Sequence, residues 1–390
     1  MNTHPKTVEN LVIGGGPAGS MLAMQLADAG RNVTLLEKEH GAHHKVCGEF
    51  LSREAVEYLH QARVAPSDLG AAPIHLVHLS SGRVVAEAAL PFRALSLSRY
   101  VLDAALLARA QQRGCEVRRG VKVERLTAQR DAWLIELRGG ESLSAQTVFL
   151  ASGKHDLHGW ARKGGEQTNL VGFKLHLQLA PAQTEALRDS MELFLFPCGY
   201  GGLSLVEGDV ANLCLVVRRS RLRKLGGWTE LLAAVLAENP RLRRFLQSAT
   251  ALWERPLAVS PIPYGYLALR PCGLWCVGDQ AAVIPSFTGD GMSIALHSAV
   301  LAAQMYLAGK TADAYNCKLH TQLARGMRLA TWLSRAMVTG PGRSLAPLGL
   351  ALFPGVMGWI AASTRIPEEA LLFPPEGPGP QPAVQATRSA

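Results

Sequence analysis

The chain has no C-x-x-C pair, no H-E-x-x-H and no repeat of 20 to 50 residues. Its seven cysteines, at 47, 115, 198, 214, 272, 276 and 317, are odd in number and widely spaced, which argues against a disulfide framework and fits reduced thiols in a cytosol. The twelve histidines show no ligand spacing, and His40, His43 and His44 share a glycine-flanked loop without nearby paired acids or cysteines, so no metal site is expected. Charged residues make up only 18% against 48% hydrophobic. That is too apolar for a disordered chain and too mixed for a polytopic membrane protein. Lys and Arg exceed Asp and Glu by 40 to 31, but the runs Arg218 to Lys224 and Arg241 to Arg244 lack interleaved aromatics and read as solvated faces. No nucleic-acid partner is expected. Met1 to Asn10 is polar and leads directly into a strand, so no cleavable signal is expected and the predicted location is cytoplasmic.

What is present begins with a strand, a glycine turn, a helix and a second strand between Asn10 and Glu37. Leu11 to Ile13 is short and apolar, Gly14, Gly16 and Gly19 form G-x-G-x-x-G with Pro17 and Ala18 inside it, and Ser20 to Ala29 repeats apolar residues at helical spacing. Gly30 closes the helix, and Val33 to Leu36 forms a buried strand ending at Glu37 and Lys38. The glycines let backbone approach a pyrophosphate, the helix N-terminus offers free N–H groups, and the strand-end carboxylate accepts bonds from an adenosine ribose. A dinucleotide ligand follows from that spacing.

Farther along, Ser98 to Arg113 reads as a helix stopped by Gly114, while Thr147 to Ala151 and Leu274 to Val277 are apolar strands ending at small residues, as in a covered parallel sheet. Between them Phe173 to Leu179 alternates strictly, and a hairpin is predicted from Leu203 to Val217 turning at Gly208 and Asp209. These predict half-exposed antiparallel strands in an inserted second domain. His176, on the polar side of the first strand, is expected to face substrate or solvent. Ser344 to Thr364 carries no charge over twenty-one residues and is flanked by Arg343 and Arg365. At ~1.5 Å per residue it could span a bilayer. Pro347, Pro354 and three glycines interrupt it, so a cover over an apolar channel is the preferred reading, with peripheral membrane contact and a true span left open.

Gly273 to Ala282, followed by Pro285, Gly289, Asp290 and Gly291, resembles the second flavin motif of the glutathione-reductase-type FAD proteins. That resemblance implies Asp279 on the ribityl chain, the backbone of Gly291 and Met292 near the flavin O2 region, and Pro285 at the flavin edge on the substrate side. Leu97 to Asp103 resembles the helix start of aromatic-hydroxylase-like flavoproteins and geranylgeranyl reductases, which implies that Arg99 lies along FAD near its phosphates or ribityl chain. Lys45 to Ser52 resembles the K-x-C-G segment of the geranylgeranyl-reductase-like branch, which implies Cys47 and Gly48 close to the flavin ring, and Leu195 to Tyr200 resembles the F-P strand of that branch and of its halogenase relatives. The W-x-W-x-I-P of tryptophan halogenases is absent, which disfavours halogenation, and there is no second G-x-G-x-x-G. Electrons are therefore expected from transiently bound NAD(P)H or from a separate reduced carrier or reductase.

The expected fold is α/β: a doubly wound FAD domain from residues 1–75, 96–160 and 265–320, and an antiparallel substrate domain from 76–95 and 161–264. A helical region at 321–365 and a flexible Pro-rich tail at 366–390 complete it. The expected activity is an FAD-dependent monooxygenase acting through a flavin hydroperoxide on an apolar aromatic or polyketide-like molecule, with noncovalent FAD. Saturation of isoprenoid double bonds is the alternative enzyme reading, and a non-catalytic redox sensor is the alternative outside enzymology. Cys47 and Pro285 are the candidate catalytic residues.

Overall fold

The computed structural model describes residues 5–162, 164–269, 273–352 and 355–373. The chain opens with β1 (Lys6–Ile13), α1 (Pro17–Asp28), β2 (Val33–Glu37), β3 (Phe50–Leu51), α2 (Arg53–Gln61), β4 (Ala72–Ser81), β5 (Val84–Ser96) and α3 (Arg99–Gln112). It continues through β6 (Glu116–Arg119), β7 (Val123–Ala128), β8 (Trp133–Leu137), β9 (Ser142–Leu150), β10 (Leu170–Gln178), α4 (Pro181–Leu187), β11 (Ser190–Phe196), β12 (Gly199–Leu205) and β13 (Ala211–Arg218). Then come α5 (Arg219–Leu225), α6 (Trp228–Glu238), α7 (Pro240–Leu246), β14 (Thr250–Ala251), β15 (Leu257–Val259), β16 (Tyr266–Leu267), β17 (Trp275–Cys276) and β18 (Ala282–Val283). Helices α8 (Gly291–Leu307), α9 (Ala312–Met337), α10 (Gly340–Leu352) and α11 (Gly355–Thr364) close the order.

The first sheet runs β6-β2-β1-β9-β8-β7, with β17 on β9. Its β6, β2, β1, β9 and β17 pair in parallel, and β7 and β8 add an antiparallel meander. Successive side chains on a strand point to opposite faces. Val12 therefore joins a core with α1, α3 and α8, while Leu11 and Ile13 join a second core beneath the meander. Local chemistry sets the helix ends. Pro17 starts α1, Ser98 caps α3 by accepting from the Val101 N–H, and Gly30 follows α1 at φ 75°.

The second sheet runs β14-β10-β13-β12-β11-β4-β5-β3, with β15 on β10. Strands β4 and β5 lie in it from Ala72 to Ser96, and β3 joins them from the loop after β2. The expected half-exposure of its strands is corrected: β10 is buried from Leu170 to Leu177. Phe173, Leu175 and Leu177 pack under α6 and α7, while the polar side chains on the opposite face are covered by the loop before β3.

Two further expectations concern the C-terminal part of the chain. Within Ser344 to Thr364 the described residues form α10, which holds Pro347, and α11, and no described helix is long and apolar enough to cross a membrane. The tail does not begin at Ile366, because Ile366 is 3% exposed and Phe373 meets the Tyr58 ring edge-on. The apolar Ile366, Ala370 and Phe373 join the main core. Residues 374–390 lie outside the described residues.

Candidate functional site

The glycine turn is packed against its surroundings so tightly that side chains are excluded. A Cβ at Gly19 would fall onto the Gly14 carbonyl oxygen, and one at Gly14 onto that of Ala151. Gly14 also adopts φ 111°, which favours glycine. Gly16 is the N-cap of α1 with no side-chain cap and no acid in the first turn, so the N-terminal N–H groups of Pro17's helix are left for a ligand. A Cβ at Gly16 would lie 3.3 Å from Arg99 Nη2 and 3.9 Å from Lys45 Nζ. Two cations thus face an uncapped helix N-terminus.

Those cations are held by one carboxylate. Asp103 accepts Arg99 Nε at 2.6 Å and Nη2 at 2.8 Å, and Lys45 Nζ at 2.9 Å. Burial pushes the Asp103 carboxyl up, but Arg99 and Lys45 more than offset it and leave it below its usual range. Burial likewise opposes the charge on Arg99, and Asp103 overcomes it. Glu37 is buried, with Oε2 accepting the Gly15 N–H at 2.8 Å and Oε1 the Glu39 N–H at 3.0 Å, so it braces the turn it follows. Lys38 lies outside, 3.6 Å from Glu39.

Asp279 sits at the end of β17, 3.2 Å from Lys154 Nζ, and its backbone carbonyl accepts Arg162 Nη1 at 2.7 Å. Burial raises its pKa, and Lys154 and Arg162 bring it below the ordinary value. Beyond it Pro285 opens a turn that reaches Gly289, at φ 77°, and Asp290, which precedes α8 without capping it. A Cβ at Gly291 would meet nothing within 4 Å, so Gly291 and Met292 present a second open helix N-terminus. Uncapped helix ends, excluded side chains and paired cations together fit a dianionic diphosphate carrying a planar ring system.

The Cys47 loop is pinned against the second sheet. Its carbonyl accepts Asn212 Nδ2 at 3.2 Å and the Cys214 thiol at 2.8 Å, its Sγ accepts the Glu49 N–H at 3.3 Å, and Gly48 has open space around it. Glu49, at φ 60° and fully buried, accepts from Lys174 Nζ, from the Arg99 backbone N–H at 2.7 Å and from His176 Nε2 at 2.9 Å. Burial works against the Glu49 charge, and the His176 hydrogen bond and Lys174 bring its pKa below the usual carboxylate value. His44 packs on His176, Trp253 and Tyr100, and burial first, then Lys174 and His176, lower it to about 4.

His176 therefore faces Glu49 rather than substrate or solvent. The His44, Glu49 and His176 ligand atoms lie within 4.8 Å of one another, so the histidine loop does have an acid beside it in space. Lys174 already neutralises that acid, which disfavours a cation there. Sequence reasoning missed Glu49, Lys174, Asn212 and Cys214; the only local signal was a lysine inside an apolar alternating strand. A cleft of about 390 Å³ opens beside Asp279, lined among others by Lys154, His155, Arg162, Thr168 and Ser260.

Fold and site together define an FAD-dependent oxidoreductase, and residues 7–150 match the family described as FAD binding domain. The group expected from the motifs fits, although naming it after glutathione reductase is slightly off. The chain is 23% identical to a menaquinone reductase of Mycolicibacterium smegmatis over 92% of each chain. Its fold resembles the flavin-dependent brominase Bmp2, with TM-score 0.74, 17% identity, and 91% of this chain and 94% of that one covered. It also resembles the halogenase PltM in complex with phloroglucinol and FAD, with TM-score 0.69, 14% identity, and 91% and 85% covered.

Proposed function

We propose that this chain is an FAD-dependent reductase that saturates a carbon–carbon double bond of an apolar, quinone-like or isoprenoid molecule. The observation that carries this reading is the Lys45–Glu49 loop. The Cys47 carbonyl is held by Asn212 and Cys214 of β13, Glu49 is held by Lys174 and His176 of β10, and Gly48 between them is left open, in the segment whose sequence resembles the reductase branch. A relative covered over nearly its whole length is named menaquinone reductase, which favours the same substrate class.

In this reading Gly16, Arg99 and Lys45 bind the diphosphate, Glu37 and Asp279 orient its two sugar portions, and Gly291 and Met292 present N–H groups to the ring. FAD, when bound, supplies two-electron transfer between donor and substrate. By its resemblance to the reductase branch, Cys47 would lie close to the flavin ring. Tyr264 Oη donates to Ser286 Oγ at 2.8 Å and Tyr200 Oη shares it at 3.1 Å next to Pro285, and burial keeps both phenols protonated. The electron donor in this reading is NAD(P)H or a separate reduced carrier.

A second reading, monooxygenation, is favoured by the buried Tyr200 and Tyr264 beside Pro285, which would shield an oxygen-reactive ring from water on that side. Product mass separates the two. With reduced enzyme and a menaquinone, the reductase gives a product that is still heavier by two hydrogens after any quinol has been reoxidised to the quinone, formed equally without air. A product carrying one atom from labelled oxygen, and none formed anaerobically, would replace this reading with the oxygenase.

A further inference from the structure

We propose that α9, α10 and α11 form a docking surface for an anionic lipid bilayer. The described residues include twelve exposed large hydrophobic side chains, and six of them fall between 332 and 359: Trp332, Leu345, Leu348, Leu352, Val356 and Trp359. Leu352 is 74% exposed and Trp332 64%. On α10, Leu345, Leu348 and Leu352 recur at helical spacing on one side, whereas Pro347 and Leu350 are buried toward β4 and β5. The helix therefore keeps one apolar face for the fold and presents another outward, which water would not favour over so wide a patch.

Charge identifies the occupant. From Ala314 to Pro367 the sequence contains no Asp or Glu, but it has Lys318, Arg325, Arg328, Arg335, Arg343 and Arg365. Arg325, Arg328 and Arg335 share the exposed side of α9 with Trp332, at i−7, i−4 and i+3. Arg335 is paired with Glu166 and Arg365 with Glu54, which leaves Arg325 and Arg328 exposed beside Trp332, and a second copy docking face to face would set these cations against each other. Acidic lipid headgroups meet Arg325 and Arg328, and tryptophan and leucine enter the acyl boundary beneath them. The proposed surface lies on a bilayer, and no described helix is long and apolar enough to span one.

The patch is also fastened to the cofactor helix. Thr364 Oγ1 donates to Asp290 Oδ2 at 3.2 Å, just before α8, and Arg365 Nη1 donates to both oxygens of Glu54 in α2 at 3.1 and 3.2 Å. A docked α11 is thus held rigidly against the end of the flavin site, where an apolar substrate leaving the membrane would arrive. Lipid binding does not depend on which reaction the enzyme performs, so its failure would leave the product-mass test intact.

The test is flotation of the full, flavin-loaded chain with vesicles of phosphatidylglycerol and phosphatidylcholine, or of phosphatidylcholine alone. Binding to the anionic vesicles, weakened by salt, with a blue shift of tryptophan emission, is expected. Leu352→Asp with Trp359→Asp should weaken it about tenfold or more, and Arg325→Glu with Arg328→Glu should remove its salt dependence, with flavin content unchanged. Absence of binding to the anionic vesicles, or equal binding by the Leu352 and Trp359 variant, overturns the proposal. So does a dimer in sedimentation that these substitutions dissociate while vesicles stay unbound.

Discussion

Lys174 in β10 and Glu49 in the loop before β3 form an ion pair with both side chains fully withdrawn from water, 125 residues apart in sequence. The pair joins the second sheet to the segment that carries Cys47. Removing one member of a buried pair leaves an uncompensated charge and typically costs about 3–5 kcal/mol. Lys174→Met and Glu49→Gln should each lower stability on that scale in denaturant titrations, whereas the double variant should recover a large part. Independent, additive losses would show that the two groups do not act as a pair.

Asp290 gives a pH dependence of defined sign. Burial raises its carboxyl from 3.8 to about 6, with Glu54 adding to the rise and Arg365 opposing it. A raised folded value means the native state holds the proton more tightly, so the contribution is fully present below about pH 4 and is lost as pH rises through 6. The shift is worth roughly 3 kcal/mol at most. The stability difference between wild type and Asp290→Asn should change over that window and be flat above it. A difference that does not vary between pH 4 and 7 would remove Asp290 as its source.

Flavin retention tests the cofactor assignment. Glu37→Ala removes the brace on Gly15, and Asp279→Ala removes the strand-end carboxylate beside Lys154. Each should lose FAD on dilution, read as absorbance near the protein after gel filtration. Acid precipitation of the wild type should release flavin into the supernatant, because the site is held by noncovalent contacts. Flavin remaining with the pellet would show a covalent link.

The nucleotide half of the site was legible because it is local: Gly14, Gly16, Gly19 and Glu37 lie within one strand–turn–helix–strand unit, where spacing fixes geometry. Arg99 was legible as the start of a capped helix. Glu49 was not, since its role depends on Lys174 and His176 from β10, and nothing in the short range around Glu49 marks it. The alternation of β10 gave the right faces but the wrong exposure, because the cover on its polar side comes from residues 44–49, more than a hundred positions earlier. Ser344 to Thr364 was legible as apolar; the side of α10 that faces outward required the contacts with β4 and β5.

Cys47 is the sharpest test of the proposed chemistry. Its carbonyl is fixed by Asn212 and Cys214, and burial pushes the Cys214 thiol far up, so Cys214 stays a neutral hydrogen-bond donor and is not a second reactive group. If the Cys47 thiol moves a proton during saturation, Cys47→Ala should lower kcat on the order of a hundredfold or more while FAD stays bound and is still reduced by the donor at its normal rate. Asn212→Ala leaves the thiol in place but loosens its loop, and should raise KM more than it lowers kcat. Full turnover by Cys47→Ala would make that side chain a packing residue, and the reductase reading would then rest on product mass alone.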